Sequence, residues 1–292
     1  MGRPVHTERN SRKRGHLSTQ DFSDPETYPT PRLRYNCEPM TTIHERTQLL
    51  IGPEGLEKLT HRHVFIAGLG GVGSYAAEAI ARAGVGRITL LDHDVVGPSN
   101  MNRQLVALHS TLGQRKSEVM AARIRDINPE IQVHITSAFL SPDNVGEIVP
   151  ADADYALDCI DSIACKAALV HHCQQVNIPI ASSMGAGGRT DPTAIRVGPL
   201  SATQLCPLAR EIRKRLRRMG ASLDYPVVYS LEQPVKGTEH RPLDGPGRAR
   251  AVNGTISYLP PLFGYTLAGL VIRALLGEKL PVGGKRGARS GT

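Results

Sequence analysis

The chain has 292 residues, of which 40% are hydrophobic and 21% charged, proportions that belong to a folded globular protein and exclude wholesale disorder. Its 35 Lys+Arg outnumber 27 Asp+Glu, a formal charge of +8, which makes an acidic partner worth seeking without establishing one. The most apolar stretch, 259–276, is broken by Pro260, Pro261 and Arg273, and the first residues lack an apolar signal core, so neither a membrane span nor secretion is expected and a cytoplasmic location is.

Residues 1–39 carry Arg3, Arg9, Arg12, Lys13, Arg14 and five prolines with almost no apolar periodicity, the composition of a dispensable, disordered arm. Order is expected from Thr42. Leu49, Leu50, Leu56 and Leu59 predict one or two helices broken at Gly52-Pro53. The apolar run 64–67 predicts a buried strand. An Ala-rich helix follows over 74–83, stopped by Gly84 and Gly86. Further strands are predicted at 88–91, 131–135, 155–160 and 178–181, with helices at 115–127 and 163–176 between them. This alternation predicts an α/β class: a Rossmann-like, mostly parallel sheet with helices on both faces. After Ala194 the pattern changes to shorter strands, a basic helix at 207–219 and a final apolar helix, a smaller C-terminal mixed α/β part.

Gly68-Leu-Gly-Gly-Val-Gly73 is a GxGxxG loop between a predicted strand and a predicted helix. Glycines let the backbone turn tightly and approach a phosphate, and the helix start offers unpaired N–H groups to the anion. Asp92 ends the second strand, 24 residues after Gly68, where a ribose-binding carboxylate sits in such units. By itself this pattern reads as a nicotinamide dehydrogenase, or as glycines that serve only helix–strand packing.

The following segment points elsewhere. Asp92-His-Asp-Val-Val-Gly-Pro-Ser-Asn-Met-Asn-Arg-Gln104 is dense in polar groups, Gly113-Gln-Arg-Lys116 follows, and Asp158-Cys-Ile-Asp161-Ser162 ends a strand expected across the switch point of the sheet. Hydride transfer has no use for Lys, Arg and Asp converging on phosphates, whereas attack on the α-phosphate of ATP has. Taken singly, Lys116 also reads as a solvated helix start, Asp161 as a helix cap and Arg103 as a surface ion pair.

GLGGVG, then D-x-D-x-V-x-x-S-N-x-x-R-Q, then G-Q-x-K, then D-x-x-D-S resembles the E1-like ThiF/MoeB adenylating superfamily. Arg46-Thr-Gln-Leu-Leu-Ile-Gly52, the segment 182–192, Pro207-Leu-Ala-Arg with the basic run after it, and Val227-Val-Tyr-Ser230 resemble its tRNA threonylcarbamoyladenosine dehydratase branch (TcdA/CsdL type). The resemblance implies an arm over 1–41, an adenylating domain over 42–277 with 194–277 as its substrate and dimer part, and a basic tail over 278–292. It implies ATP and Mg²⁺ as cofactors. Gly68, Gly70, Gly71 and Gly73 would line the phosphates and Asp92 the ribose. Asn100, Arg103 and Lys116 would contact phosphates, and Asp161 would organise the metal. Arg46 occupies the place of a superfamily arginine near the triphosphate. The implied activity is ATP-dependent cyclisation of N6-threonylcarbamoyladenosine in tRNA. The implied partners are that tRNA, a second copy of the chain in a homodimer joined partly through 262–276, and cysteine-desulfurase-system proteins. The alternative within the superfamily is MoeB/ThiF-type adenylation of a ubiquitin-like sulfur carrier.

The five cysteines form no CxxC pair, which argues against a zinc site and a disulfide framework and disfavours the carrier alternative. Cys159 and Cys173 read as core residues. Cys206 departs from the Asp that the branch usually carries before Pro-Leu-Ala, and reads as packing rather than nucleophile. In 207–219, Leu208, Ile212, Leu216 and Met219 share one helical face while Arg210, Arg213, Lys214, Arg215, Arg217 and Arg218 crowd the rest. Like charges at i,i+4 destabilise a helix. A nucleic-acid backbone explains the bias, with Arg213, Lys214, Arg217 and Arg218 as contacts; a solvated face and a membrane-surface helix are the other readings.

Overall fold

Short apolar runs form the strands and lie at the centre. β1 (His63–Ala67) is buried at every residue and pairs in parallel with β2 (Arg87–Leu91) and β4 (Tyr155–Asp158). The computed structural model describes residues 43–235, 237, 239–241, 250–252 and 254–280. The predicted arm and most of the predicted tail lie outside the described residues. β3 (Gln132–Thr136), β5 (Ile180–Ser183), β6 (Ile195–Pro199) and β7 (Pro226–Ser230) complete a seven-stranded sheet in the order β3-β2-β1-β4-β5-β7-β6. Every pairing is parallel except β6 with β7, as the alternating pattern predicts. β8 (Glu239–Arg241) and β9 (Arg250–Val252) form a small antiparallel pair.

Helices cover both faces. One face carries α2 (Gly73–Arg82), α3 (Lys116–Ile127) and α7 (Leu259–Leu275), packed into a core that includes Ile80, Met120 and Phe263. The other carries the short α4 (Val145–Ile148), α5 (Ile163–Gln175) and α6 (Pro207–Arg218), around Leu169, Ile212 and Leu216. α1 (Glu45–Thr60) is two helical segments joined at Gly52, whose φ of 74° only glycine adopts freely. Among the described residues no helix is long and apolar enough to cross a membrane.

Two contacts fix the site. A Cβ on Gly264 of α7 would stand 2.3 Å from the Val72 carbonyl, so this glycine lets α7 lie directly on the start of α2. Between β4, β5 and α5, the Lys166 ammonium and Asp158 carboxylate are fully buried and 2.7 Å apart. Lys166 also donates to the Ser183 carbonyl, and Asp158 accepts from Ser182 and from the Ile160 amide. Burial pushes the Asp158 carboxyl up, while Lys166 and Ser182 pull it down. The pair ties the ends of β4 and β5 to the turn that carries Asp161.

Candidate functional site

The glycine loop runs from the end of β1 into α2, at the carboxyl edge of the sheet. Its glycines divide into two kinds. A Cβ on Gly73 would stand 1.7 Å from the Gly68 carbonyl, and Gly68 itself has φ 88° against the Cys159 backbone. Both serve close packing of strand, helix and β4. Gly70 faces open space, with only Gln104 near, and Gly71 lies under the Arg103 stem and Pro260. The N–H groups of Gly70, Gly71 and Val72 have no acceptor among the described residues, the orphan donors expected where a helix begins. Amides left open in this way can receive an anion.

Asp92, 8% exposed, holds the loop in place: its carboxylate accepts from the Leu69 amide at 2.6 Å and from the Asp94 amide at 2.9 Å. Ser74 in the first turn of α2 donates to the Gly70 carbonyl and accepts from the Leu105 amide, tying the polar segment to the loop. The Asn100 side-chain oxygen accepts from the Gly97 amide, which leaves its NH₂ group to donate elsewhere. The Arg103 guanidinium donates to the Ser99 carbonyl and to the Asn102 side chain. Burial lowers its affinity for its proton, which the Asp161 carboxylate offsets only in part.

Lys116 reaches the site because 113–116 is laced onto 94–96: Gly113 N–H donates to Val96, Val96 N–H to Gln114 and Lys116 N–H to Asp94. Its side chain is nearly buried, and its ammonium lies 2.8 Å from the Asp94 carboxylate. Lys116 is therefore a paired charge at N1 of α3, not a solvated helix start. Asp94 is a residue that sequence reasoning left unassigned, although the D-x-D spacing displays it. Asp161 is exposed and makes no hydrogen bond or ion pair among the described residues. It precedes Ser162, the residue that flanks α5, so it is not a helix cap.

Gln104 closes the polar segment 92–104. It is 8% exposed, its amide oxygen is buried without a partner, and it borders Gly70. A buried acceptor left open beside these amides fits a nucleotide hydrogen donor.

Arg46 is not brought to this site within its own chain. α1 docks on the far end of α2, where a Cβ on Gly84 would meet Leu56 and His44. The glycine loop lies at the other end of that ten-residue helix, about 15 Å away. The basic helix is also divided. Arg213 turns inward and donates to the Thr203 carbonyl and hydroxyl, so it is a structural residue rather than a free cation. Lys214, Arg217 and Arg218 are exposed. Cys206 is buried and its sulfur caps α6 by accepting from the Ala209 amide. Burial pushes the Cys159 and Cys173 thiols up to about 12, so neither supplies a thiolate at neutral pH.

Residues 44–286 match the model of the ThiF family. Over 190 residues the chain is 45% identical to the tRNA threonylcarbamoyladenosine dehydratase of Bacillus subtilis (strain 168), covering 65% of this chain and 75% of that one. It is 46% identical over 171 residues to the protein of the same name from Escherichia coli (strain K12), covering 59% of this chain and 64% of the relative. The crystal structure of E. coli tRNA N6-threonylcarbamoyladenosine dehydratase in complex with ATP is similar to it with a TM-score of 0.71 at 37% identity, over 80% of this chain and 93% of that chain. With its family model matched over most of its length and its glycine loop, polar crown and parallel sheet in place, the chain belongs to the ThiF family.

Proposed function

We propose that the chain is an ATP-dependent tRNA threonylcarbamoyladenosine dehydratase. The observation that carries this reading is the set of open amides at Gly70–Val72 bordered by Arg103, in a chain 45% identical to a dehydratase of that name. A carboxylate oxygen of the threonyl group attacks the α-phosphorus of ATP and pyrophosphate leaves. A nitrogen or oxygen of the same side chain then attacks the activated carbonyl, and AMP leaves with the former carboxylate oxygen. The nucleophile is already tethered, so proximity supplies much of the rate. No step needs an enzyme thiol. Activation of a sulfur carrier is the less favoured reading, because the matched relatives named above are tRNA dehydratases.

In this reading Gly70 and Gly71 receive the phosphates, Asp92 the ribose, and Asn100, Arg103 and Lys116 bind phosphate oxygens. Asp161, exposed and unpartnered, fits Mg²⁺, a cation held by one or two carboxylates together with substrate phosphates. Bound there, Mg²⁺ would supply charge neutralisation. Lys116→Ala should weaken ATP binding by about 1.5–3 kcal/mol, the worth of one hydrogen bond to a charged group, as read by calorimetric titration. Unchanged affinity would remove Lys116 from the site. The decisive experiment is mass spectrometry of tRNA nucleosides before and after incubation with the protein and Mg·ATP. The expected result is loss of threonylcarbamoyladenosine with gain of a product lighter by one water.

The site is completed by a partner copy in this reading. α1 exposes Leu49 and Leu50, 83% and 86% accessible, beside Arg46, and a C2 dimer would bury them and carry Arg46 to the neighbouring triphosphate. Only the outer side of α7 remains for that interface, since Phe263, Leu267 and Val271 are buried within their own protomer. Light scattering at micromolar concentration should give a dimer, and a monomer would refute this part. The exposed cations of α6 contact the tRNA backbone, and the protein acts in the cytoplasm.

A further inference from the structure

Helices α5 and α6 leave a cleft of about 500 Å³ lined by the first turns of α5 and the later turns of α6, within the size range of small-ligand sites. Its floor is apolar: Ile163, Ala164, Ala168 and Met219, with Pro142 at one side. Its lip is cationic: Lys214, Arg215 and Arg218 line it, with Glu211 the one acid. None of these three cations makes a hydrogen bond or ion pair among the described residues, whereas Glu211 lies 3.5 Å from Arg210. Lys214 and Arg218 stand at i,i+4, where like charges repel, so the helix keeps an unfavourable arrangement that a bound anion would relieve. The floor begins at Ile163, two residues after Asp161.

We infer that this cleft is a nucleotide subsite, which seats an unstacked nucleotide neighbouring the modified adenosine of the tRNA. This rests on the proposed function above. The base lies against the apolar floor and its phosphates meet Lys214, Arg215 and Arg218. The chemistry selects this occupant: an apolar floor alone suits a peptide side chain, and a cationic ridge alone suits any polyanion. An apolar slot under three unpaired cations suits a flat base joined to phosphate. Recognition of RNA loops works through such splayed-out bases. The placement gives the enzyme a second grip on the loop, so that the reacting carboxylate is oriented as well as bound.

The test uses an anticodon stem-loop carrying threonylcarbamoyladenosine, with cyclised product read by mass spectrometry. Ala164→Phe fills the cleft without altering charge. It should raise the KM for RNA roughly tenfold or more, leave the KM for ATP unchanged and leave the salt dependence intact. Lys214→Gln with Arg218→Gln should raise the RNA KM and also flatten the slope of log affinity against log salt by about 0.7 per lost contact. A stem-loop with an abasic residue beside the modified adenosine should bind the wild type more weakly and lose its sensitivity to Ala164→Phe. Ile163→Ser, at a position already 37% exposed, provides a second floor variant, and a melting curve establishes that each variant is folded. If folded Ala164→Phe and Ile163→Ser proteins both keep the wild-type RNA KM, or inorganic polyphosphate competes equally with wild type and Ala164→Phe while the abasic RNA binds like the intact one, the subsite is refuted. In that case the ridge is a general polyanion surface. If the wild type does not cyclise the nucleoside at all, the proposed function itself falls, which is a distinguishable result.

Discussion

Replacing Lys166 with Met is expected to destabilise the protein by about 3–5 kcal/mol, the usual effect of leaving one member of a buried ion pair without its partner. Asp158 is fully buried beside Lys166. Without the ammonium its carboxylate keeps only the Ser182 hydroxyl and the Ile160 amide, and burial then favours its protonated form. For a chain of this size the loss corresponds to roughly 6–20 °C in Tm. The double variant Asp158→Asn/Lys166→Met should recover much of it, because no charge is then stranded. Thermal melts of the two variants beside the wild type provide the measurement. A single variant as stable as the wild type would show that the pair contributes nothing. The same pair anchors the turn to Asp161, so the double variant, though folded, is expected to adenylate more slowly.

The second large effect is catalytic. Asp161→Asn keeps the shape of the side chain and removes the charge that Mg²⁺ requires. Because Asp161 makes no hydrogen bond or ion pair among the described residues, the substitution should leave the melting curve where it is. ATP–pyrophosphate exchange should fall by roughly 10²–10³, the scale of removing one preorganised electrostatic group. Raising Mg²⁺ should restore part of the activity. Full exchange by the variant at every Mg²⁺ concentration would assign Asp161 to a role outside the metal.

The sheet and its helices were legible because their signals are local. Strands β1, β2 and β4 are short apolar runs, and α2 announces itself through alanines between two glycine stops. Asp92 follows β2, Lys116 starts α3 and Asp161 lies between β4 and α5, places that the alternating pattern of strands and helices marks in the sequence. What stayed hidden depends on contacts between distant segments. Nothing in the glycine motif distinguishes Gly73, pressed against the Gly68 carbonyl, from the open Gly70. Arg213 looks like its neighbours in sequence, and only the fold brings Thr203 to it. Asp94 becomes the counter-ion of Lys116 through a laced turn 22 residues away. Arg46 matches a motif position yet lies a helix length from the loop, a separation set by how α1 docks on Gly84.

The contact through Gly264 bears on the order in which the protein matures during synthesis. The glycine loop and α2 emerge early from the ribosome, but the surface that covers Val72, Ala76 and Ile80 belongs to α7, some 190 residues later. Until α7 arrives, an Ala-rich helix with an uncovered apolar side stands beside an unfinished loop. Contacts this distant along the chain close slowly and leave apolar surface exposed meanwhile. A nascent chain halted before Leu259 carries the whole phosphate-binding motif and lacks the helix that completes its packing.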